Sequence, residues 1–332
     1  IDKVIRRAFS FSEGDAYNKY SVNYAKNKIK SLNFFEKVEI NEERVEDSDR
    51  LNLNIDVVEK NTGSATLGAG YGSTNGSTLT AGLTEANFLG KGQKVKVSSS
   101  FASTQTLYDI SITEPFFRNK DLLVRSDLYS KFNDPSNVKY ETETIGVGLA
   151  LGFPLSSANR ITVKYSLLTT KTKADADATT YENLLSGTNT VSIIGYNLSL
   201  DKRNSPYKPT SGSIFTIEQN LAGVGGTSNY LQNKITYKKY KQLSKRFTGA
   251  FKSEFGTING YSGKYAPVDS MYNIGGNKLR GFKSGKVGPQ LNTSYTGGTY
   301  YYVLTTETNF DLPIDEYDIS SSLFLDVGSV WG

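Results

Sequence analysis

The stretch Ile-Thr-Val-Lys-Tyr-Ser-Leu, residues 161–167, alternates apolar and polar side chains without interruption. Successive side chains of a β-strand point to opposite faces, so such a strand has one apolar and one polar face. The alternation recurs at 94–101 and 108–113, and in further segments from Gly63 to the end of the chain, separated by turns rich in Gly, Asn, Asp, Ser and Pro. Segments of about nine to twelve residues with this pattern are typical of strands that cross a membrane in a β-barrel.

A soluble all-β sandwich or solenoid would also alternate, but the composition argues against it. Lys, Glu and Asp interrupt nearly every strand at the inward position, which leaves no obvious dry centre. The mean hydropathy of −0.41 and the lack of any run of about 18 apolar residues exclude helical spans. Many of the 22 Tyr residues lie near strand ends, where the aromatic girdle of a membrane barrel sits. We therefore predict a mainly β protein built on an antiparallel transmembrane β-barrel.

Several kinds of chemistry are excluded by composition. The chain has no Cys and no His, which excludes thiol catalysis, disulfides, His-based acid–base chemistry and zinc sites. The formal charge of +5 is modest for 332 residues and its Lys and Arg are dispersed, so no nucleic-acid partner is indicated. We expect neither an enzyme nor a bound cofactor. The chain opens at Ile1 without a signal peptide, which we interpret as the interior of a longer precursor.

Residues 1–60 are predicted to form a small α+β module, and residues 61–332 the barrel. The module should contain a short helix at 2–9, an amphipathic helix at 18–32, and two alternating strands joined by an acidic turn. We expect the apolar face of the second helix to comprise Tyr20, Tyr24, Ala25, Ile29 and Leu32. A two-stranded sheet against helices usually needs a further strand, so we expect the N-terminal part of the module to lie upstream of Ile1.

The barrel region contains about thirteen alternating segments from Ser64 onward. Single-chain bacterial barrels have an even number of strands, and an unclosed sheet edge is not tolerated in lipid. The sequence therefore predicts that further C-terminal strands of the barrel are missing from this chain.

Several motifs carry a family resemblance. They lie at 4–7, 13–15 and 33–38 in the module, and at 70–72, 83–93 and 114–116 in the barrel, where the run 87–93 is the most specific. Together they resemble the BamA family, in which POTRA domains are joined to a sixteen-stranded barrel. The resemblance implies that 1–60 is the last POTRA domain, lying in the periplasm, and that the barrel lies in the bacterial outer membrane.

The resemblance also implies a function and partners. Members of the family assemble and insert β-barrel proteins into the outer membrane, so the expected partners are unfolded outer-membrane proteins, the lipid bilayer, and accessory lipoproteins including one like BamD. Arg6, Arg7 and Glu43 are candidate contacts of that lipoprotein, although such residues on a small exposed domain are more often simply solvated.

The long segment 259–295 contains Leu279, Arg280, Gly281 and Phe282. Taken by itself, the tripeptide Arg-Gly-Phe at 280–282 would indicate only a surface loop. In the family the matching loop folds into the lumen and acidic groups on neighbouring strands hold its Arg. The two-residue period directs the carboxylates of Glu307 and Asp326 into the lumen.

We hypothesise that Arg280 pairs with Asp326, with Glu307 as the second acceptor. A planar guanidinium can be held by two carboxylates in a way that Lys cannot reproduce. Gly281 and Gly328 should permit a close approach of the backbone in this region.

The first barrel strand, predicted from Ser64 to Ser73, is rich in glycine and includes Gly68, Gly70 and Gly72. Few side chains can pack on it, so it should pair weakly and form a lateral gate whose exposed backbone templates an incoming strand. The simpler interpretation is that these glycines provide curvature and close packing at the barrel seam.

Three other functions compete with this interpretation. A POTRA-linked translocase of the two-partner secretion or TamA type shares the architecture, and the run 87–93 favours BamA over it. A passive porin would not carry the module 1–60. An outer-membrane hydrolase would need an activated nucleophile, and the usual Ser-His pair is impossible without His.

Overall fold

The computed structural model describes residues 2–72, 76–134, 139–156, 158–267, 270–291, 294–311 and 320–332. They form a small helical module with a two-stranded sheet, followed by one large antiparallel sheet. The predicted end of the first barrel strand at Ser73 lies outside these residues. Within the described ranges, no helix is long and apolar enough to cross a membrane.

The N-terminal module contains α1 (Asp2–Arg6), α2 (Lys19–Ser31), β1 (Phe35–Arg44) and β2 (Leu51–Glu59). The Asn18 side chain accepts hydrogen bonds from the backbone N–H groups of Tyr20 and Ser21 and so starts α2. β1 and β2 pair antiparallel across the predicted acidic turn.

The predicted apolar face of α2 is partly wrong. Its buried residues are Val22, Ala25 and Ile29, whereas the Tyr20 and Tyr24 side chains are 80% and 54% exposed. The buried set is spaced by three and four residues, as one face of a helix requires. Tyr24 lies about 100° and Tyr20 about 140° around the helix axis from Ala25, so both rings point away from the buried face.

The large sheet consists of twelve extended elements in the described residues. They are β3 (Gly63–Gly72), β4 (Gly76–Phe88), β5 (Gln93–Ala102), β6 (Gln105–Glu114), β7 (Leu123–Asn133), β8 (Tyr140–Pro154), β9 (Asn159–Ala174), β10 (Gly187–Asp201), β11 (Gly212–Gln242), β12 (Phe247–Gly260), β15 (Tyr300–Asp311) and β16 (Ser320–Trp331). A short helix, α3 (Thr180–Leu184), precedes β10, and a small hairpin of β13 (Gln290–Leu291) and β14 (Ser294–Tyr295) precedes β15.

The 31-residue element β11 doubles back on itself. The Gln219 side chain donates to Asn233 Oδ1 at 2.7 Å, although 14 residues of straight strand would separate the two by about 46 Å. Gly225 and Gly226, with φ of +97° and +89°, lie at the bend. The first arm, 214–226, pairs with β10 and the second, 230–242, pairs with β12. With β11 counted as two arms, the described sheet has thirteen strands, in agreement with the sequence-based count.

The sheet has one apolar face. Between residues 145 and 153 of β8, every second side chain is large, apolar and 40–53% exposed. These residues are Ile145, Val147, Leu149, Leu151 and Phe153. They alternate with Gly146, Gly148 and Gly152 on the opposite face, which is the apolar-out pattern of a strand that faces lipid. The predicted mainly β fold with a preceding POTRA-like module is confirmed.

The sheet begins at β3 and ends at β16, and within the described residues each of these strands hydrogen-bonds to one neighbour, β4 and β15 respectively. Each is therefore an edge strand of the sheet that the described residues form.

The module contacts the barrel through a small apolar junction. Val4, Leu32 and Phe34 meet the turn at Gly92 and the segment Pro115–Phe116. A Cβ added to Gly92 would lie 3.1 Å from Val4 Cγ2, so the chain needs glycine there for both this contact and its φ of +73°.

Candidate functional site

The segment between β12 and β15 folds against the lumen face of the sheet. Its Tyr272 pairs with Gly298 and its Ile274 with Val287 through isolated β-bridges. Ala266, Tyr272, Ile274 and Leu279 from this segment enter one buried cluster with strand residues. The strand members of the cluster are Val191, Ala222, Tyr230, Ile258, Tyr301, Val303 and Val330. We call residues 261–299 the inner loop.

This cluster corrects the expectation that the lumen lacks a dry centre. The inner loop supplies the apolar partners that the strands alone do not have. Tyr301 and Val303 of β15 are 2% and 1% exposed, although they lie on the same face as the carboxylate of Glu307. Alternation identified the inward face, but it could not show that part of this face is covered by the chain's own loop.

Gly256 of β12 provides the space for two aromatic rings that pack against each other. The Tyr272 and Tyr301 ring centroids are 4.4 Å apart. A Cβ on Gly256 would overlap the Tyr301 ring and lie 2.7 Å from Tyr272 Cζ. Both rings are buried, at 8% and 2% exposure, so neither can swing aside without disturbing the cluster.

We expect Gly256→Ala to lower the free energy of unfolding by about 1–3 kcal/mol, because it overpacks this core. The measurement is the urea midpoint of the folded protein in detergent micelles, together with protease cleavage within the inner loop. Gly148→Ala is the control, since a Cβ at Gly148 meets Asp127 Cβ at an ordinary 3.5 Å. Equal midpoints for the two variants would contradict this account of Gly256.

Arg280 at the tip of the inner loop contacts both carboxylates named from the sequence. Its Nε and Nη2 donate to Asp326 Oδ2 and Oδ1 at 2.7 and 2.8 Å, and its backbone N–H donates to Asp326 Oδ2 at 3.1 Å. Its Nη1 donates to Glu307 Oε2 at 3.0 Å. The Asp326 side chain is 3% exposed and that of Arg280 30%. The fork–fork geometry with Asp326 is bidentate, which a Lys ammonium could not form.

The strand register explains why these groups meet. Asp326 lies opposite Thr305 in the β15–β16 pair, and Glu307 lies opposite Phe324, so both carboxylates and the Phe324 ring share one face. The Arg280 guanidinium carbon lies 3.4 Å from the centroid of the Phe324 ring. The guanidinium is thus held at its edge by carboxylates and on one face by an aromatic ring.

The two glycines expected to allow close approach act differently. A Cβ on Gly328 would lie 2.9 Å from Tyr302 O and 3.4 Å from Leu279 Cδ1, so Gly328 does permit close packing. Gly281 has open space around a Cβ position, and its φ is +90°. The close-approach reason is therefore wrong for Gly281, and its role is to allow the left-handed turn after Arg280. Phe282 is 55% exposed, whereas Leu279 is 3% exposed.

A second anchor of the inner loop was not found from the sequence. Lys278 Nζ lies 3.5 Å from Glu254 Oε1 and 4.9 Å from the centroid of the Tyr301 ring. Glu254 also accepts a hydrogen bond from Tyr301 Oη at 2.7 Å. Glu254 is 4% exposed on β12. The only available signal was a Glu at an inward position of an alternating strand, which is a pattern shared by many strands of this chain.

β3 presents its glycines on one face. Gly68 and Gly70 lie opposite Thr80 and Thr78 of β4, while the alternate residues Leu67 and Tyr71 are each 83% exposed. A Cβ on Gly68 would lie 2.7 Å from Thr80 Oγ1, whereas one on Gly70 would have open space. Gly72 closes the β3–β4 ladder opposite Gly76. The ladder is complete along β3, so weak pairing of this strand stays a prediction.

The three candidate docking residues of the module have different environments. Arg6 is exposed and pairs with Asp2 and Glu13 at 3.0 and 2.9 Å, and Glu43 is exposed and accepts from Asn54. Arg7 faces the barrel instead. Its side chain is 15% exposed and lies 3.7 Å from Glu114, with its guanidinium 5.3 Å from the Phe116 ring. Arg7 is therefore a residue of the domain junction, and its assignment to a free docking face is corrected.

These features, an inner loop held by an Arg and a module joined directly to β3, coincide with a family match. The model of the Omp85 superfamily domain matches residues 87–332, about three quarters of the chain. The chain belongs to the Omp85 superfamily. A second model, the POTRA family described as a surface antigen variable number repeat, matches residues 2–60 of this Omp85 chain.

Named relatives of this Omp85 chain include outer membrane protein assembly factors. BamA of Neisseria meningitidis serogroup B is 26% identical over 99% of the chain, and BamA of Neorickettsia risticii is 27% identical over 100%. The matched region covers 45% of each of these proteins, so the chain spans about half their length. The human sorting and assembly machinery component 50 homolog is 25% identical over 84% of the chain and 60% of its own length.

Solved structures show the same fold. BamA from Haemophilus ducreyi lacking POTRA domains 1–3 matches with a TM-score of 0.88 and 25% identity, over 100% of this chain and 69% of that one. CdiB from Acinetobacter baumannii matches with a TM-score of 0.57 and 15% identity, over 99% of this chain and 61% of that one, which is a likeness of fold alone.

Proposed function

We propose that this Omp85 chain is part of a factor that assembles and inserts β-barrel proteins into the bacterial outer membrane. The observation that carries the proposal is the similarity to BamA assembly factors along the whole chain, module and sheet together. The barrel lies in the outer membrane and the module 1–60 lies in the periplasm, beneath the turns that it contacts at Gly92 and Phe116.

The mechanism requires no covalent step, and we propose that the protein is not an enzyme. Unfolded outer-membrane proteins arrive at a lateral gate along β3, where the backbone groups that face away from β4 pair with an incoming strand as in β-augmentation. Main-chain hydrogen bonds supply affinity without demanding a particular sequence, which suits a factor with many substrates. The inner loop, anchored by Arg280 and Lys278, supports the lumen face of the sheet close to the other edge at β16.

An accessory lipoprotein of the BamD type is the proposed partner of the module. Arg6 and Glu43 are its candidate contacts because both side chains are exposed. Arg7 is left out because the junction with the barrel occupies it.

The second candidate is a translocase of the two-partner secretion type, and the likeness to CdiB in fold supports it. Depletion of the protein in its own organism separates the two. We expect a collective fall in the outer-membrane abundance of several unrelated barrel proteins, restored by the wild type, with an outer-membrane lipoprotein unchanged as control. Loss of a single exported protein would replace this proposal with the translocase, and loss of one solute flux would replace it with a porin.

A further inference from the structure

A charged cavity of about 350 Å³ lies on the lumen face, where the two arms of β11 meet β12. Its charged lining residues are Arg203, Lys234, Lys238, Lys252, Glu218 and Glu254, and it is completed by Ile214, Thr216 and Thr236. It lies beside the second anchor, because Glu254 belongs to both. We call this cavity the basic basin.

Two lysines of the basin face each other across a strand pair. Lys238 of β11 is directly opposite Lys252 of β12 in the antiparallel register. Like charges at directly opposed positions destabilise a sheet. Lys252 is compensated by Glu254 at 3.3 Å. Lys238 makes no ion pair among the residues that the structure describes.

The other neighbour of Lys238 is apolar. The hydrogen bonds of Gln219 with Asn233 and of Asn220 with Gln232 set the register of the two arms of β11. Continued along the arms, this register puts Ile214 opposite Lys238, and both line the basin. Lys238 therefore has a lysine on one side and a hydrocarbon side chain on the other.

The wider charge balance is also positive. Six cations lie in or beside the basin against three carboxylates, an excess of three positive charges. The cations are Lys164, Arg203, Lys234, Lys238, Lys252 and Lys278, and the carboxylates are Asp201, Glu218 and Glu254. The carboxylates are already engaged: Asp201 with Arg203 at 2.7 Å, Glu218 with Lys164 at 2.7 Å, and Glu254 with three lysines.

We propose that the basic basin binds a phosphate-type oxyanion between Lys238 and Lys252. Lysine ammonium groups bind phosphate as point charges, and the hydroxyls of Thr216 and Thr236 on the floor of the basin can donate to it. A multivalent anion matches the excess positive charge of the basin. When it is bound, both Lys238 and Lys252 contact the anion, which offsets their mutual repulsion. This site is independent of the edge of β3 and of the proposed assembly function.

The test is calorimetric titration of the folded full chain in detergent micelles at constant ionic strength. Sodium chloride is the reference titrant. The probes are inorganic phosphate, pyrophosphate and glycerol 3-phosphate, which is the soluble headgroup of an anionic lipid. We expect saturable binding at one site and about a tenfold loss of affinity in Lys238→Met, since a charge-assisted contact is removed. Lys238→Arg should retain binding. Lys239→Met is the matched control, because Lys239 is the next residue of the same strand and points to the opposite face.

A second measurement guards against a variant that simply folds badly. Without phosphate, Lys238→Met should melt at or above the wild-type temperature because it relieves the repulsion, and phosphate should raise the melting temperature of the wild type only. Tighter binding of free phosphate or of the headgroup identifies the source of the ligand, and either supports the site. Binding heats equal to those of sodium chloride would overturn the proposed site. Equal losses of affinity in Lys238→Met and Lys239→Met would overturn it as well. Binding of a Glu-rich peptide in place of phosphate would overturn it too.

Discussion

Arg280→Ala is expected to remove most of the assembly activity while leaving the sheet folded. Four hydrogen bonds connect this residue to Asp326 and Glu307, and only the backbone bond to Asp326 survives the change. The Asp326 carboxylate, 3% exposed, would then lie without its cation. Removing one partner of a buried ion pair destabilises the folded state by about 3 kcal/mol or more. We therefore expect the tip of the inner loop to detach from β15 and β16.

The experiment is complementation in cells depleted of the wild-type protein, scored by the outer-membrane abundance of several unrelated barrel proteins. Limited proteolysis of the purified variant reports the position of the loop. Lys283→Ala is the matched control, because Lys283 is an exposed cation three residues along the same loop. Normal barrel-protein levels in Arg280→Ala cells, with the loop still resistant to protease, would show that the Arg280 contacts are dispensable.

Arg280→Lys separates charge from geometry. Lys keeps the positive charge but cannot form the bidentate contact with Asp326 or stack flat on Phe324. We therefore expect Arg280→Lys to resemble Arg280→Ala more than the wild type. Combining Asp326→Ala with Arg280→Ala should add little to either change alone, because residues in one contact network are not additive.

The barrel was predictable because its signal is local. Alternation in a stretch such as 161–167 depends only on the pleat of one strand, and the membrane requires it in every strand. The strand count was also predictable, since the glycines at the bend of β11 end one alternating segment and start another. The orientation of Glu307 and Asp326 into the lumen followed from the same two-residue period. Their contact with Arg280 was suggested by the family resemblance.

The contacts that could not be predicted join residues that are distant in sequence. Lys278 contacts Glu254, 24 positions away in sequence, only because the inner loop folds back into the lumen. The two-residue alternation of the strands carries no information about the path of this loop. The buried cluster around Tyr272 and Tyr301 was missed for the same reason. Arg7 was assigned to a free face because its partners, Glu114 and Phe116, belong to the other domain.

The role of β3 in templating can be tested one amide at a time. Ala86 N donates to Thr62 O at 3.2 Å, at the start of the β3–β4 ladder. Hydrogen-bonded and non-hydrogen-bonded pairs alternate in an antiparallel ladder, so even-numbered residues of β3 direct their backbone groups to β4. Odd-numbered residues direct theirs to the opposite side of the strand, away from β4. Gly63 agrees with this, since its N–H donates to the Asn61 side chain rather than to β4.

Ala69→Pro should therefore remove one donor from the side of β3 that faces away from β4 and leave the β3–β4 ladder intact. Proline is tolerated on edge strands when its missing N–H faces outward, so the protein should still fold. A templating strand would lose a hydrogen bond and meet the proline ring, and we expect about a tenfold slower folding of a barrel substrate in proteoliposomes. Ala69→Thr, which keeps the N–H, should fold the substrate at the wild-type rate.

Gly68→Pro completes the comparison on the same strand. Gly68 directs its N–H to β4, so its proline variant breaks the ladder itself and should lower the urea midpoint of the protein, which Ala69→Pro should not do. Slower substrate folding in Ala69→Pro at an unchanged urea midpoint thus assigns the loss to the side of β3 that faces away from β4, rather than to lower stability. Substrate folding at the wild-type rate in Ala69→Pro would mean that incoming strands do not pair with this amide, and edge templating on β3 would have to be abandoned.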